Sequence, residues 1–135
     1  MCLTVFLGSS APLPSVQWTE SAPAFYARPL ASYEEPVRGV LSLPYLAFLG
    51  AHTGCSCGFV MDGADEPADV RQSRESLARY VTDAVRGGPA ELYVCWNGDV
   101  VLLVARELTL TPTELPRRDD WLEEGTHVRL VAPTA

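Results

Sequence analysis

Six of the eleven prolines fall in one stretch, from Ala11 to Pro44. Proline removes a backbone donor and pushes the residue before it towards extended backbone, so this stretch is closed to long α-helix. Yet Val16, Trp18, Phe25, Tyr26, Leu30 and Val37 make it too apolar for a solvated linker. It reads as extended segments lying across a core, with a short edge strand near Ala24–Arg28.

The regular elements must therefore come from the rest of the chain. Cys2 to Leu7 is apolar and rich in β-formers, and Gly8–Ser9–Ser10 closes it as a first strand. Tyr45 to Ala51 is a second apolar run. Cys57 to Met61 either continues it or starts another strand, and Asp62 to Ala68 is an acidic loop. From Asp69 to Arg86, Val70, Leu77, Val81, Ala84 and Val85 recur at helical spacing and predict one amphipathic helix. Asp65, Glu66 and Asp69 sit at its positive end and Arg86 at its negative end. Glu75 and Arg79 form an i,i+4 pair on its surface. Gly87–Gly88–Pro89 then stops it.

Asn97–Gly98 accepts positive φ at both turn positions, and predicts a hairpin joining Glu91–Trp96 to Asp99–Leu110. Val100 to Ala105 is apolar on both sides, so both its faces should be covered. The helix covers one face of the sheet. The proline-rich stretch or a second subunit covers the other, and the expectation is a homodimer. Pro112 to Pro116 breaks the pattern. Asp119 to Glu124 is one helical turn ended by Gly125, with Trp121 and Leu122 buried. Thr126 to Ala132 is a last strand, with His127 and Arg129 on its solvent side. The element order gives an α+β fold in a single domain, 1–135. Its sheet is mostly antiparallel, with one main helix (about 69–86) and a 97–98 hairpin turn.

The formal net charge of −7, without a basic run, excludes nucleic acid as an expected partner. The N-terminus carries no positive region ahead of its short apolar run, and the longest apolar stretch is broken by Pro44. Neither reaches the roughly 20 residues of a membrane span, so a cytoplasmic protein without membrane contact is expected. All basic residues are Arg, with no Lys and no Ile, which fits a GC-rich bacterial coding sequence. In a reducing compartment four cysteines are not a disulfide framework.

The chemistry concentrates in His52–Thr53–Gly54–Cys55–Ser56–Cys57–Gly58–Phe59. Two thiols two residues apart point to one side of an extended segment, and glycines on both sides let the backbone fold tightly. Three readings follow, and no motif chooses among them or names a reaction. Cys55 or Cys57 is a reactive, redox-type thiol, with or without a transient bridge between them, and His52 is its base or orienter. Alternatively His52, Cys55 and Cys57 hold a metal, zinc being the candidate, with Cys2 or Cys95 as fourth ligand. In the third reading the stretch is a structural turn in a binding or interaction protein.

Two further patterns are formal. Gly54–Cys55–Ser56–Cys57–Gly58 matches the G-x-S-x-G elbow, with His127 as a distant base, but strand and turn follow where the elbow needs a helix. Cys2 would be an N-terminal nucleophile if Met1 were removed. The stretch Gly54 to Phe59, together with the Met1–Cys2 opening strand, resembles a group of small bacterial proteins with a Gly-Cys-x-Cys-Gly-Phe motif and no assigned activity. The resemblance is clearest over residues 1–60 and implies no substrate and no catalytic residue.

Overall fold

The computed structural model describes residues 3–17, 24–60, 67–96 and 103–133. Six strands form one sheet: β1 (Leu3–Ser9), β2 (Phe25–Pro29), β3 (Tyr45–Ala51), β4 (Ala90–Trp96), β5 (Arg106–Leu110) and β6 (Thr126–Leu130). Their spatial order is β2-β3-β1-β4-β6-β5. Every pairing is antiparallel except that of β5 with β6. The first strand in sequence thus lies inside the sheet, between β3 and β4, and is buried along its whole length. That explains why its sequence is apolar rather than alternating.

One long helix, α1 (Pro67–Arg86), packs on the first face of the sheet. Val70, Leu77, Val81, Ala84 and Val85 are all buried, as their spacing predicts. The last four share one core with Leu3, Val5 and Leu7 of β1, Leu92 and Val94 of β4, and Val128 and Leu130 of β6. Arg74, also buried, ties the helix down at both sides. Its Nε donates to the Phe59 carbonyl at 2.7 Å, and a terminal nitrogen pairs with Asp119 at 2.7 Å. The expected Glu75–Arg79 ion pair is absent; Arg79 donates to Ser76 Oγ at 3.1 Å instead.

The second face is covered by the proline-rich stretch. Ser32–Gly39 forms 3₁₀ turns with Pro36 inside them. Its Val37, with Leu41 beyond it, packs on Phe6, Phe48, Tyr93 and Cys95. The edge strand expected at 24–28 is β2, and Val16 bridges to its Ala27. Trp18 lies outside the described residues.

Three expectations are corrected. The hairpin turn at 97–98 and the start of its second strand lie outside the described residues, but the described part of that strand, β5, is not the neighbour of β4. β1 and β6 flank β4 on its two sides, so β5 lies one place further out, parallel to β6. A parallel pair needs a long crossover, and residues 111–125 supply it. This crossover carries two 3₁₀ segments, Pro112–Arg117 and Asp120–Leu122, and drives Leu115, Trp121 and Leu122 into the main core. Trp121 is fully buried and its indole N–H donates to the Leu115 carbonyl at 3.0 Å. Secondly, residues 103–105 are not strand, and Leu103 is 69% exposed rather than covered. Thirdly, residues 56–59 neither continue β3 nor start a strand; Ser56–Phe59 is a 3₁₀ turn.

Candidate functional site

The loop after β3 follows from its two glycines. β3 ends at Ala51, and the chain reverses through a turn in which Gly54 N–H donates to the Ala51 carbonyl and Ala51 N–H to the Cys55 carbonyl. Gly54 takes φ +83°, which side chains rarely adopt. Gly58 is needed for a different reason. A Cβ there would stand 2.7 Å from the Ala51 Cβ and 2.9 Å from His52 Nδ1. One glycine makes the turn, and the other lets the 3₁₀ segment close against its base.

Two side chains of the motif then complete β1. The β1–β3 ladder ends at the pair Val5–Leu49. Ser56 Oγ accepts from Val5 N–H at 3.0 Å and donates to the Leu49 carbonyl at 2.6 Å. Cys57 Sγ accepts from Leu3 N–H at 3.3 Å. Ser56 is fully buried. Its hydroxyl is committed to the backbone of two strands, so the elbow reading loses its nucleophile, and His127 sits elsewhere, 3.1 Å from Glu91.

His52 turns towards the helix. Its backbone N–H donates to Ser73 Oγ at 3.1 Å, and its Nδ1 is 2.8 Å from the same oxygen. His52 thus anchors the loop to α1.

Cys55 faces another way. It is half-buried, its sulfur is 3.5 Å from Thr53 Oγ1, and it lines a cleft of about 170 Å³ on the second face of the sheet. Thr4, Tyr26, Arg28, Tyr33 and Phe48 form much of the rest of that cleft. Tyr26 lies across Gly50, where a Cβ would come within 1.9 Å of its ring, and its hydroxyl donates to the Gly54 carbonyl at 2.6 Å. Burial pushes the Tyr26 phenol above its usual pKa, with Arg28 acting in the opposite sense. Arg28 stacks 4.1 Å from the Phe48 ring centre and grips Glu34 with two hydrogen bonds, at 2.7 and 3.1 Å. Those bonds hold the guanidinium more firmly protonated than usual, against its partial burial.

Comparison with protein families, with characterised proteins and with solved structures found no match.

The remaining candidate residues fall apart from this cleft or outside the description. Cys95 lies on the second face beside Thr4, whose hydroxyl donates to the Cys95 carbonyl at 2.8 Å and stands 3.2 Å from its sulfur. Cys2 is outside the described residues. Among the described residues, no three His, Cys, Asp or Glu side chains gather as a metal site would require. Tyr26 and Arg28 are the site residues that sequence reasoning missed. The signal was present: in a strand at 24–28 they share one face, opposite the buried Phe25 and Ala27.

Proposed function

We propose that the protein is a thiol-reactive domain in which Cys55 is the reacting group and the cleft of Tyr26, Arg28, Tyr33 and Phe48 receives its substrate. The observation that carries this reading is the division of labour in the motif. Ser56, Cys57 and Gly58 are taken up in closing β1 and the turn, whereas Cys55 lines the cleft. The matching chemistry is thiol–disulfide exchange. The Cys55 thiolate attacks one sulfur of a disulfide, the new S–S bond forms as the old one breaks, and the departing thiolate takes up a proton from solvent. The aromatic walls favour a substrate with a flat or apolar group beside the disulfide. Arg28 is already neutralised by Glu34, so it shapes the cleft more than it attracts an anion.

The test is site-resolved alkylation by mass spectrometry near neutral pH, with and without chelator. Cys55 is expected to label faster than Cys57 and Cys95 and to form a mixed disulfide with an aromatic disulfide probe. Uniformly slow labelling in both conditions would remove the thiol reading and leave the motif as a structural turn. Labelling released only by chelator would favour the metal reading.

A further inference from the structure

The chain has ten arginines and no lysine. Six arginines are matched to a carboxylate: Arg28 to Glu34, Arg38 to Glu35, Arg74 to Asp119, Arg86 to Asp83, Arg106 to Glu123 and Arg118 to Asp120. Among the described residues, Arg71, Arg79, Arg117 and Arg129 have no such partner within ion-pair distance. Arg129 stands on β6, whereas the other three line one groove, of about 550 Å³, between α1 and the 3₁₀ segment Pro112–Arg117. Thr82 and Thr113 add hydroxyls to it, and Glu75 is the carboxylate within it.

Three cations against one anion leave this groove positive on a molecule whose net charge is −7. That contrast selects for ligand size. A long polyanion would be repelled by the rest of the surface, whereas a small one feels mainly the local field. Spacing adds a second constraint. Arg71 and Arg79 are eight residues apart on the helix, or about 12 Å along its axis. One anionic group cannot engage both in the same way, but a ligand with two charged ends can. The guanidinium fork matches phosphate and carboxylate oxygens alike. The groove volume lies in the usual range for small-molecule sites, roughly 300–1,000 Å³.

We propose that this groove binds a small organic polyanion, carrying two or more phosphate or carboxylate groups, through Arg71, Arg79 and Arg117. The site is independent of Cys55, whose cleft lies on the other face of the sheet.

The test uses two probes, inorganic pyrophosphate and citrate, each titrated at constant ionic strength against the whole chain labelled with ¹⁵N. Saturable amide shifts confined to residues 71–82 and 113–117 are expected with at least one probe. Arg79→Gln with Arg117→Gln should weaken that binding about tenfold or more, because two charge-assisted contacts are lost. Glu75→Gln should strengthen it, by about threefold, by removing the opposing charge. These side chains are exposed, so an unchanged unfolding midpoint verifies the fold of each variant. Shifts that fail to saturate with both probes, or that match those of sodium chloride at equal ionic strength, would overturn the proposal. So would a double variant that binds within twofold of the parent.

Discussion

Val5 and Leu49 face each other across β1 and β3, and the hydroxyl of Ser56 bridges them, accepting from one and donating to the other. Removing that hydroxyl strands a buried N–H and a buried carbonyl together. Each such loss costs about 1–3 kcal/mol, so Ser56→Ala is expected to destabilise the protein by about 2–4 kcal/mol. Urea unfolding measures this directly. A variant within 0.5 kcal/mol or so of the parent would mean that water or a strand shift replaces the bridge.

The two glycines of the motif should fail differently. Gly54 has open space around its absent Cβ, so Gly54→Ala costs only the positive φ, about 1–2 kcal/mol. Gly58 has no positive φ, but a Cβ there would strike Ala51, Thr53 and His52 at 2.7 to 2.9 Å. Overpacking of this kind costs about 1–3 kcal/mol or more, and here it also pushes His52 off Ser73. Gly58→Ala should therefore broaden or shift the His52 imidazole NMR signals, while Gly54→Ala leaves them in place. The reverse pattern would contradict the close approach.

Much of this architecture was legible along the chain, because it is local. The boundaries of β3 and the buried stripe of α1 follow from runs and periods contained within each element. Gly88, at φ +132°, ends the helix where the Gly-Gly-Pro signal stands. Strand partnership is not local in this way. Asn97–Gly98 is a sound hairpin signal, yet the free sides of β4 go to β1 and β6, strands far away in sequence. Ser56 has the same opacity. Its motif advertises reactive chemistry, and only the position of Val5, fifty-one residues earlier, turns it into a strand bridge. The Cys55 cleft was half legible: its thiol stood out, while Tyr26 and Arg28 were hidden in a strand of uncertain extent.

Gly50 lets the Tyr26 ring cross β3 and latch onto Gly54. Gly50→Ala should force the ring away and open the cleft wall. Cys55 alkylation is then expected to rise several-fold over the parent rate, on the order of a 1 kcal/mol change in access, with Cys95 unaffected. Tyr26→Ala should reproduce the effect without the added methyl. Equal rates in both variants and the parent would show that Tyr26 does not limit access.

Tyr80 supplies a pH test. Its hydroxyl donates to the Pro14 carbonyl, linking α1 to the segment that begins the proline-rich stretch. Burial pushes its pKa from 10.0 up to about 12. The folded state therefore prefers the protonated phenol. This contribution is complete below the unfolded value and is lost as pH rises from about 10 through 12. The parent should lose thermal stability relative to Tyr80→Phe across that window, since Phe has no proton to lose. Melting midpoints that fall in parallel for the two proteins would remove the link.

β1 leaves the ribosome before both of its neighbours, β3 and β4, which end at Ala51 and Trp96. At about 5–20 residues per second, seconds pass between the making of this apolar strand and the arrival of its second neighbour. Through that interval one edge of the strand is unpaired, and the other is finished only when Ser56 and Cys57 fold back onto Val5 and Leu3. Refolding in the test tube should therefore be slow and sensitive to protein concentration.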